Sequence, residues 1–155
     1  MLNIGQTAPD FTLPADTGAE IQLSGLRPAP VVLFFYPKDD TPGCTLEARA
    51  FTALLPEFTA LGAQVYGISK DSIAKHCKFR DKFELAIPLL SDAESDVCEN
   101  YGVWGTKKMY GKEFMGITRT TVLIDGDGKF AQIWPKVKVE DHAQDVLATV
   151  RALVS

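Results

Sequence analysis

Val31-Val32-Leu33-Phe34-Phe35-Tyr36 runs straight into Pro37-Lys38-Asp39-Asp40-Thr41-Pro42-Gly43-Cys44-Thr45, and the reading of this stretch decides the fold. Six apolar residues with no polar break predict a strand buried on both faces, as in a parallel sheet. Pro37 ends the strand, and Asp39-Asp40-Thr41-Pro42-Gly43 carries turn chemistry. From Thr45 onward Leu46, Ala48, Ala50, Phe51, Leu54 and Leu55 fall on a helical stripe. Thr41 suits the N-cap and Pro42 the first helical position, where its missing N–H costs nothing. Cys44 therefore falls in the first turn, where free backbone N–H groups and the helix dipole favour a thiolate.

Working outward, Asp10-Phe11-Thr12-Leu13-Pro14 and Glu20-Ile21-Gln22-Leu23 flank Asp16-Thr17-Gly18 and predict an N-terminal β-hairpin. The helix begun at Pro42 is expected to stop at Gly62 and to bend or break at Pro56. Gln64-Val65-Tyr66-Gly67-Ile68-Ser69 completes a β-α-β unit. Asp71 or Ser72 caps a helix through about Phe83, Ile87 to Leu90 is extended, and Ala93 to Tyr101 is a short helix ending at Gly102. Thr106 to Gly116, basic and weakly patterned, predicts a loop over a functional edge. Arg119 to Ile124 and Lys129 to Trp134 flank Asp125-Gly126-Asp127-Gly128, a hairpin signal, and Val139 to Val154 is an amphipathic closing helix. No repeat or linker interrupts residues 1–155, so the expectation is one domain, an α/β sandwich whose central mixed sheet is flanked by helices.

The chain has 155 residues, 46% of them hydrophobic, which is enough for a sizeable core. A net charge of -4 does not suggest a nucleic-acid footprint. No apolar run approaches a membrane span, and Met1-Leu2-Asn3-Ile4-Gly5-Gln6 lacks the pattern of a signal peptide. Cys44, Cys77 and Cys98 are odd in number and widely spaced, unlike a secreted disulfide framework. A cytoplasmic protein with at least one free thiol is expected.

Several chemistries could use a cysteine at a helix start. A dithiol oxidoreductase needs C-x-x-C, but Thr41 stands three residues before Cys44. A low-molecular-weight phosphatase needs an arginine six residues on, in a phosphate loop, whereas Arg49 comes one residue early and in a helix. A papain-type hydrolase needs a histidine base, and His76 and His142, in no recognisable setting, are expected to face solvent. Metal binding needs a ligand cluster, which the cysteine spacing does not supply. Peroxide reduction needs only a thiolate, hydrogen-bond donors for two oxygens and a small pocket, with no metal and no cofactor. Thr41 offers a hydroxyl, Gly43 and Cys44 offer backbone N–H groups, and Pro37 would shield the sulfur. A fixed cation is still required. Asp39 and Asp40 would oppose a thiolate if they faced it, so they are expected to turn to solvent or cap the turn. The competing reading of Cys44 is a buried structural cysteine.

Pro37-x-x-x-Thr41-x-x-Cys44 resembles the peroxiredoxin signature, and Tyr36 to Thr45 as a whole is similar to the bacterioferritin-comigratory (PrxQ) branch. Ala8-Pro9-Asp10-Phe11-Thr12-Leu13, Leu90-Ser91-Asp92, Tyr101-Gly102-Val103-Trp104-Gly105 and Gly116-Ile117-Thr118-Arg119 extend the resemblance along nearly the whole chain. It implies a thioredoxin-like fold with Cys44 as peroxidatic cysteine, Thr41 as hydroxyl partner, Pro37 as shield and Arg119 as the fixed guanidinium. Arg119 would then start a strand beside the one feeding Cys44. For Glu47 it implies a role in holding the loop or Arg119, beside its ordinary reading as a first-turn acid.

The resemblance also implies a cycle. A Cys44 sulfenic acid forms on hydrogen peroxide or an organic hydroperoxide and is recycled by thioredoxin or another thiol, a means of antioxidant defence. The branch's resolving positions correspond here to Arg49 and Arg80, neither a cysteine. Cys77 lies one turn before Arg80 on the same helix face and is the candidate resolving thiol. Its alternative is a packed structural cysteine, the reading also given to Cys98. The family favours a monomer or weak homodimer. The rival from another class is a non-enzymatic thiol sensor or binding module on the same fold.

Overall fold

The computed structural model describes residues 2–155; Met1 lies outside them. The strand order of the central sheet is β5-β4-β3-β8-β9. At its middle, β3 (Val31–Phe35) pairs parallel to β4 (Gln64–Ser69) and antiparallel to β8 (Thr120–Ile124). β5 (Leu89–Ser91) continues the parallel half, and β9 (Phe130–Trp134) closes the antiparallel half through the expected hairpin. β3 is buried at every position, as an unbroken apolar run predicts.

Period-two alternation along β3 feeds two cores. Val32, Phe34 and Tyr36 point to the face covered by α1 (Pro42–Ala60), α2 (Ile73–Phe83) and α4 (His142–Val154), where Phe51, Phe58, Phe79 and Val146 meet them. Phe34 stacks on Phe51 with ring centroids 4.6 Å apart, so helix α1 is docked by aromatics already on the strand that aims it. Val31, Leu33 and Phe35 point to the opposite face, with Leu13 of the N-terminal hairpin β1 (Thr12–Pro14)–β2 (Glu20–Gln22), Cys98 of α3 (Val97–Asn100), and Tyr101. Each fully buried Phe contributes about 1.5–3 kcal/mol over an exposed one.

Three expectations are corrected. Of the bend or break expected at Pro56, the break does not occur: helix α1 continues through Pro56, which leaves the Thr52 carbonyl without its N–H. Thr106 to Gly116 is no loop: β6 (Trp104–Met109) and β7 (Lys112–Ile117) form a separate two-stranded sheet. Tyr110 and Gly111, both at positive φ, make its two-residue turn. The two histidines are buried, not solvent-facing. Among the described residues no helix is long and apolar enough to cross a membrane.

Candidate active site

Cys44 lies in the first turn of α1, directly after the loop that leaves β3, and is buried at 1% exposure. The first helical bond runs from Thr45 N–H to the Thr41 carbonyl, so the N–H groups of Gly43 and Cys44 have no partner within the helix. Thr41 is the N-cap, but its side chain does not cap: the hydroxyl donates to the Lys38 carbonyl at 2.8 Å. That fixes the hydroxyl proton and leaves the oxygen's lone pairs free to accept.

Arg119 arrives from the neighbouring strand. Phe35 pairs with Thr120 in the β3–β8 ladder, and Arg119 is the residue just before that pair, its carbonyl held by Val137 N–H at 2.8 Å. The guanidinium forks. Nη2 donates to Cys44 Sγ at 3.4 Å, and Nη1 donates to Glu47 Oε1 at 2.8 Å. Burial alone would lower the pKa of Arg119, but the Glu47 and Cys44 charges outweigh it and raise it, so the cation is secure. Glu47 is 1% exposed and its Oε2 has no hydrogen-bond partner among the described residues. Burial pushes its carboxyl up to about 7 against the pull of Arg119. Gly43 makes room for this fork, since a Cβ there would stand 3.0 Å from Arg119 Nη2.

Pro37 and Arg119, together with Trp104, Phe114 and Ile117 of the β6–β7 hairpin, line a groove of about 580 Å³. Trp104 thus borders the groove, while Phe35 is wholly in the core. Asp40 turns to solvent and pairs with Lys82 at 2.9 Å. Asp39 turns inward instead, onto Tyr36 and His76 and away from the sulfur.

The remaining thiols stand elsewhere. Cys77 is half-buried and donates to the Asp16 carbonyl at 3.6 Å, which also accepts from Arg80 Nη1 at 2.9 Å. Cys98 is fully buried, and burial first, then Asp92, pushes its thiol far above the ordinary range. Sequence reasoning missed the Asp39–His76 contact. The sequence did signal that His76 is buried, since His76, Phe79 and Phe83 lie at helical spacing on one stripe, but not which residue it meets.

Residues 4–133 match the AhpC/TSA family. A putative peroxiredoxin bcp of Coxiella burnetii is 48% identical over 146 residues, covering 94% of this chain and 97% of its own. The PrxQ structure of Xylella fastidiosa superposes with a TM-score of 0.94 at 35% identity, covering 100% of this chain and 99% of that one. The bacterioferritin comigratory protein of Xanthomonas campestris, whose structures address its alkyl peroxide reduction activity, superposes at 0.90 with 40% identity and coverage of 100% and 99%. The chain belongs to the AhpC/TSA family and, within it, to the bacterioferritin-comigratory, or PrxQ, peroxiredoxins. It is a thiol peroxidase with a thioredoxin-like fold.

Proposed function

We propose that Cys44 is the peroxidatic cysteine and that Thr41, Arg119 and Pro37 build its site. The observation that carries this is the Arg119 fork, which puts a cation on Sγ at the start of a helix. A peroxide entering past Pro37 donates its O–H to the Thr41 oxygen, whose own proton is committed to Lys38. Sγ attacks the near oxygen and the O–O bond breaks. Arg119 and the free N–H groups of Gly43 and Cys44 hold the negative charge as it moves onto the leaving oxygen. The leaving oxygen takes up the proton that the Cys44 thiol released on ionising, and the products are the Cys44 sulfenic acid and water or an alcohol. Hydrogen peroxide and organic hydroperoxides are both substrates in this reading, and the open groove beside Arg119 gives the larger ones room.

A thiol reductant, thioredoxin first, then restores Cys44. The protein acts in the cytoplasm as a single-domain monomer or weak homodimer, with Glu47 supporting Arg119. Resolution by an external thiol fits the geometry better than resolution by Cys77. Lys82 of α2 faces the active-site loop through Asp40, and Cys77, five residues earlier, projects about 140° round the helix from it, onto Asp16.

Intact mass and non-reducing peptide mapping after one equivalent of hydrogen peroxide test this. One oxygen on Cys44 with Cys77 and Cys98 free is the expected result, followed by repeated turnover when thioredoxin and its reductase are added. A Cys44–Cys77 disulfide would instead establish an internal two-cysteine cycle. An unmodified Cys44 would overturn the assignment, and a single oxidation without turnover would leave a sensor.

A further inference from the structure

The active-site loop, residues 37–41, is anchored from within by one residue, through its side chain and its backbone N–H. Asp39 is buried; its Oδ1 accepts from the Tyr36 hydroxyl at 2.6 Å and its Oδ2 meets His76 Nδ1 at 2.6 Å. Its N–H donates to Asp71 Oδ2 at 2.9 Å, an oxygen that also accepts from the Ser69 hydroxyl. The end of β3, helix α2 and the β4–α2 turn thus converge on one aspartate. The loop's other ties are weaker: Asp40–Lys82 is an exposed pair, and the Thr41 bond stays within the loop.

His76 is fully buried on α2, with Nε2 2.9 Å from the Leu90 carbonyl in β5. A carbonyl only accepts, so Nε2 carries a hydrogen, and the short contact at Nδ1 then requires a further proton between ring and carboxylate. Asp39 and His76 are together neutral, and every polar atom of the pair is satisfied. Their 2.6 Å contact is also shorter than the separation of about 3.3 Å between two ligands of one tetrahedral zinc ion, so the cluster with Asp71 is a proton-bridged pair and not a metal centre.

We propose that His76 is a positioning residue for the peroxidase reaction: with Asp39 it latches the active-site loop to α2, so that loop and helix open as one unit to expose the oxidised cysteine. This rests on Cys44 being the attacking thiol. Cys44 is 1% exposed, so a second thiol cannot approach Sγ in line while the first turn of α1 is folded. In the resolving step the incoming sulfur bonds to Sγ, the S–O bond breaks, and the hydroxide leaves as water with the thiol's proton. Lifting residues 37–44 for this step pulls Asp39 off His76. The ring then keeps Leu90 but has lost its Nδ1 partner in a buried site, the costly way to break such a contact. Helix α2 is thereby loosened when the loop leaves. While the latch is closed, Cys44 meets only peroxide. The latch therefore sets how long the sulfenic acid waits, and a second peroxide arriving meanwhile adds an oxygen to give the sulfinic acid and water.

Two substitutions separate the contacts of the ring. In His76→Gln the amide reaches the place of Nε2, keeping Leu90 and abandoning Asp39; in His76→Asn an amide N–H stands at the place of Nδ1 and keeps Asp39. After one equivalent of hydrogen peroxide, mass spectrometry follows capture of the sulfenic acid by mercaptoethanol, and a peroxide titration follows sulfinic acid formation. Loss of the buried bond predicts capture about tenfold faster in His76→Gln, with more peroxide needed for over-oxidation, while His76→Asn stays near the parent. A folded His76→Gln protein captured at the parental rate, or Gln and Asn variants behaving alike, would overturn the latch.

Hydrogen exchange on the unmutated protein gives an answer that does not depend on a variant folding. The hydrogen-bonded amides of Asp39 and Thr45 and those of residues 76–80 should share one opening free energy and lose protection together once Cys44 carries mercaptoethanol. A loop that exchanges orders of magnitude faster while α2 stays protected overturns the proposal. A parent whose Cys44 ignores peroxide overturns the function proposed above. A parent oxidised normally beside an unresponsive His76→Gln overturns the latch alone.

Discussion

A Cβ added at Gly43 would stand 3.0 Å from Arg119 Nη2, so the absence of a side chain at residue 43 is what lets the guanidinium lie against the first turn and reach Sγ. Gly43 is helical, so alanine fits its backbone and stabilises the helix by about 0.5–1 kcal/mol. Pushing Nη2 back by a few tenths of an ångström weakens a charge-assisted bond to the sulfur, and a loss of about 1.4 kcal/mol there is tenfold in rate. Gly43→Ala should therefore be slightly more stable in urea yet about tenfold slower with peroxide by stopped flow. Equal loss of stability and rate would show that the clash is relieved by deforming the helix instead. At this scale the sequence was legible where spacing along one element carries the information: Thr41 and Cys44 share a turn, and Pro42 marks where it starts. It was illegible where partners come from separate elements. Nothing near residue 39 announces His76, which stands 37 residues on.

Among the elements, the strand–helix unit was readable because its signals are strong and agree: an unbroken apolar run, turn chemistry and a helical stripe. The β6–β7 hairpin was not, for a physical reason. Most of its residues are exposed, so no alternation of buried and exposed residues is written into it, and its register rests on backbone pairing and the Tyr110-Gly111 turn. Helix α1 shows the converse, a local rule overridden by packing. Phe51 and Phe58, both buried, hold the helix to the sheet on either side of Pro56, which itself is exposed. An interior proline costs about 3 kcal/mol against alanine, part of it offset by a stiffer unfolded chain. Pro56→Ala restores the N–H facing the Thr52 carbonyl and should stabilise the protein by about 1–2 kcal/mol in urea unfolding, with peroxide kinetics unchanged, since residue 56 is three turns from Cys44. A loss of stability would mean that the carbonyl has another partner that the proline spares.

Across the whole molecule, Cys44, Asp39, His76 and Arg119 gather at the edge where β3 and β4 end, the edge at which open α/β sheets place their ligands. Concentrating charge there has a global cost, and Glu47 makes it measurable. Its buried carboxyl titrates at about 7 in the folded protein against an ordinary 4.5, burial outweighing Arg119. The folded state therefore holds a proton that the unfolded chain releases at lower pH. The stability this brings is fully present below about 4.5 and is lost as pH rises through about 7, to a total of about 3 kcal/mol. When Glu47 is neutral, the charge of Arg119 is left to Cys44 alone; when it ionises, it draws on the same guanidinium. Glu47→Gln keeps an acceptor for Nη1 and cannot ionise. Its urea stability relative to the parent should rise from pH 5 to about pH 7 and level off by pH 8, and its rate with peroxide at pH 8 should hold or increase. A stability difference that stays flat across that range would show that Arg119 keeps Glu47 ionised throughout, making the pair a fixed structural bridge with no proton exchanged between pH 5 and 8.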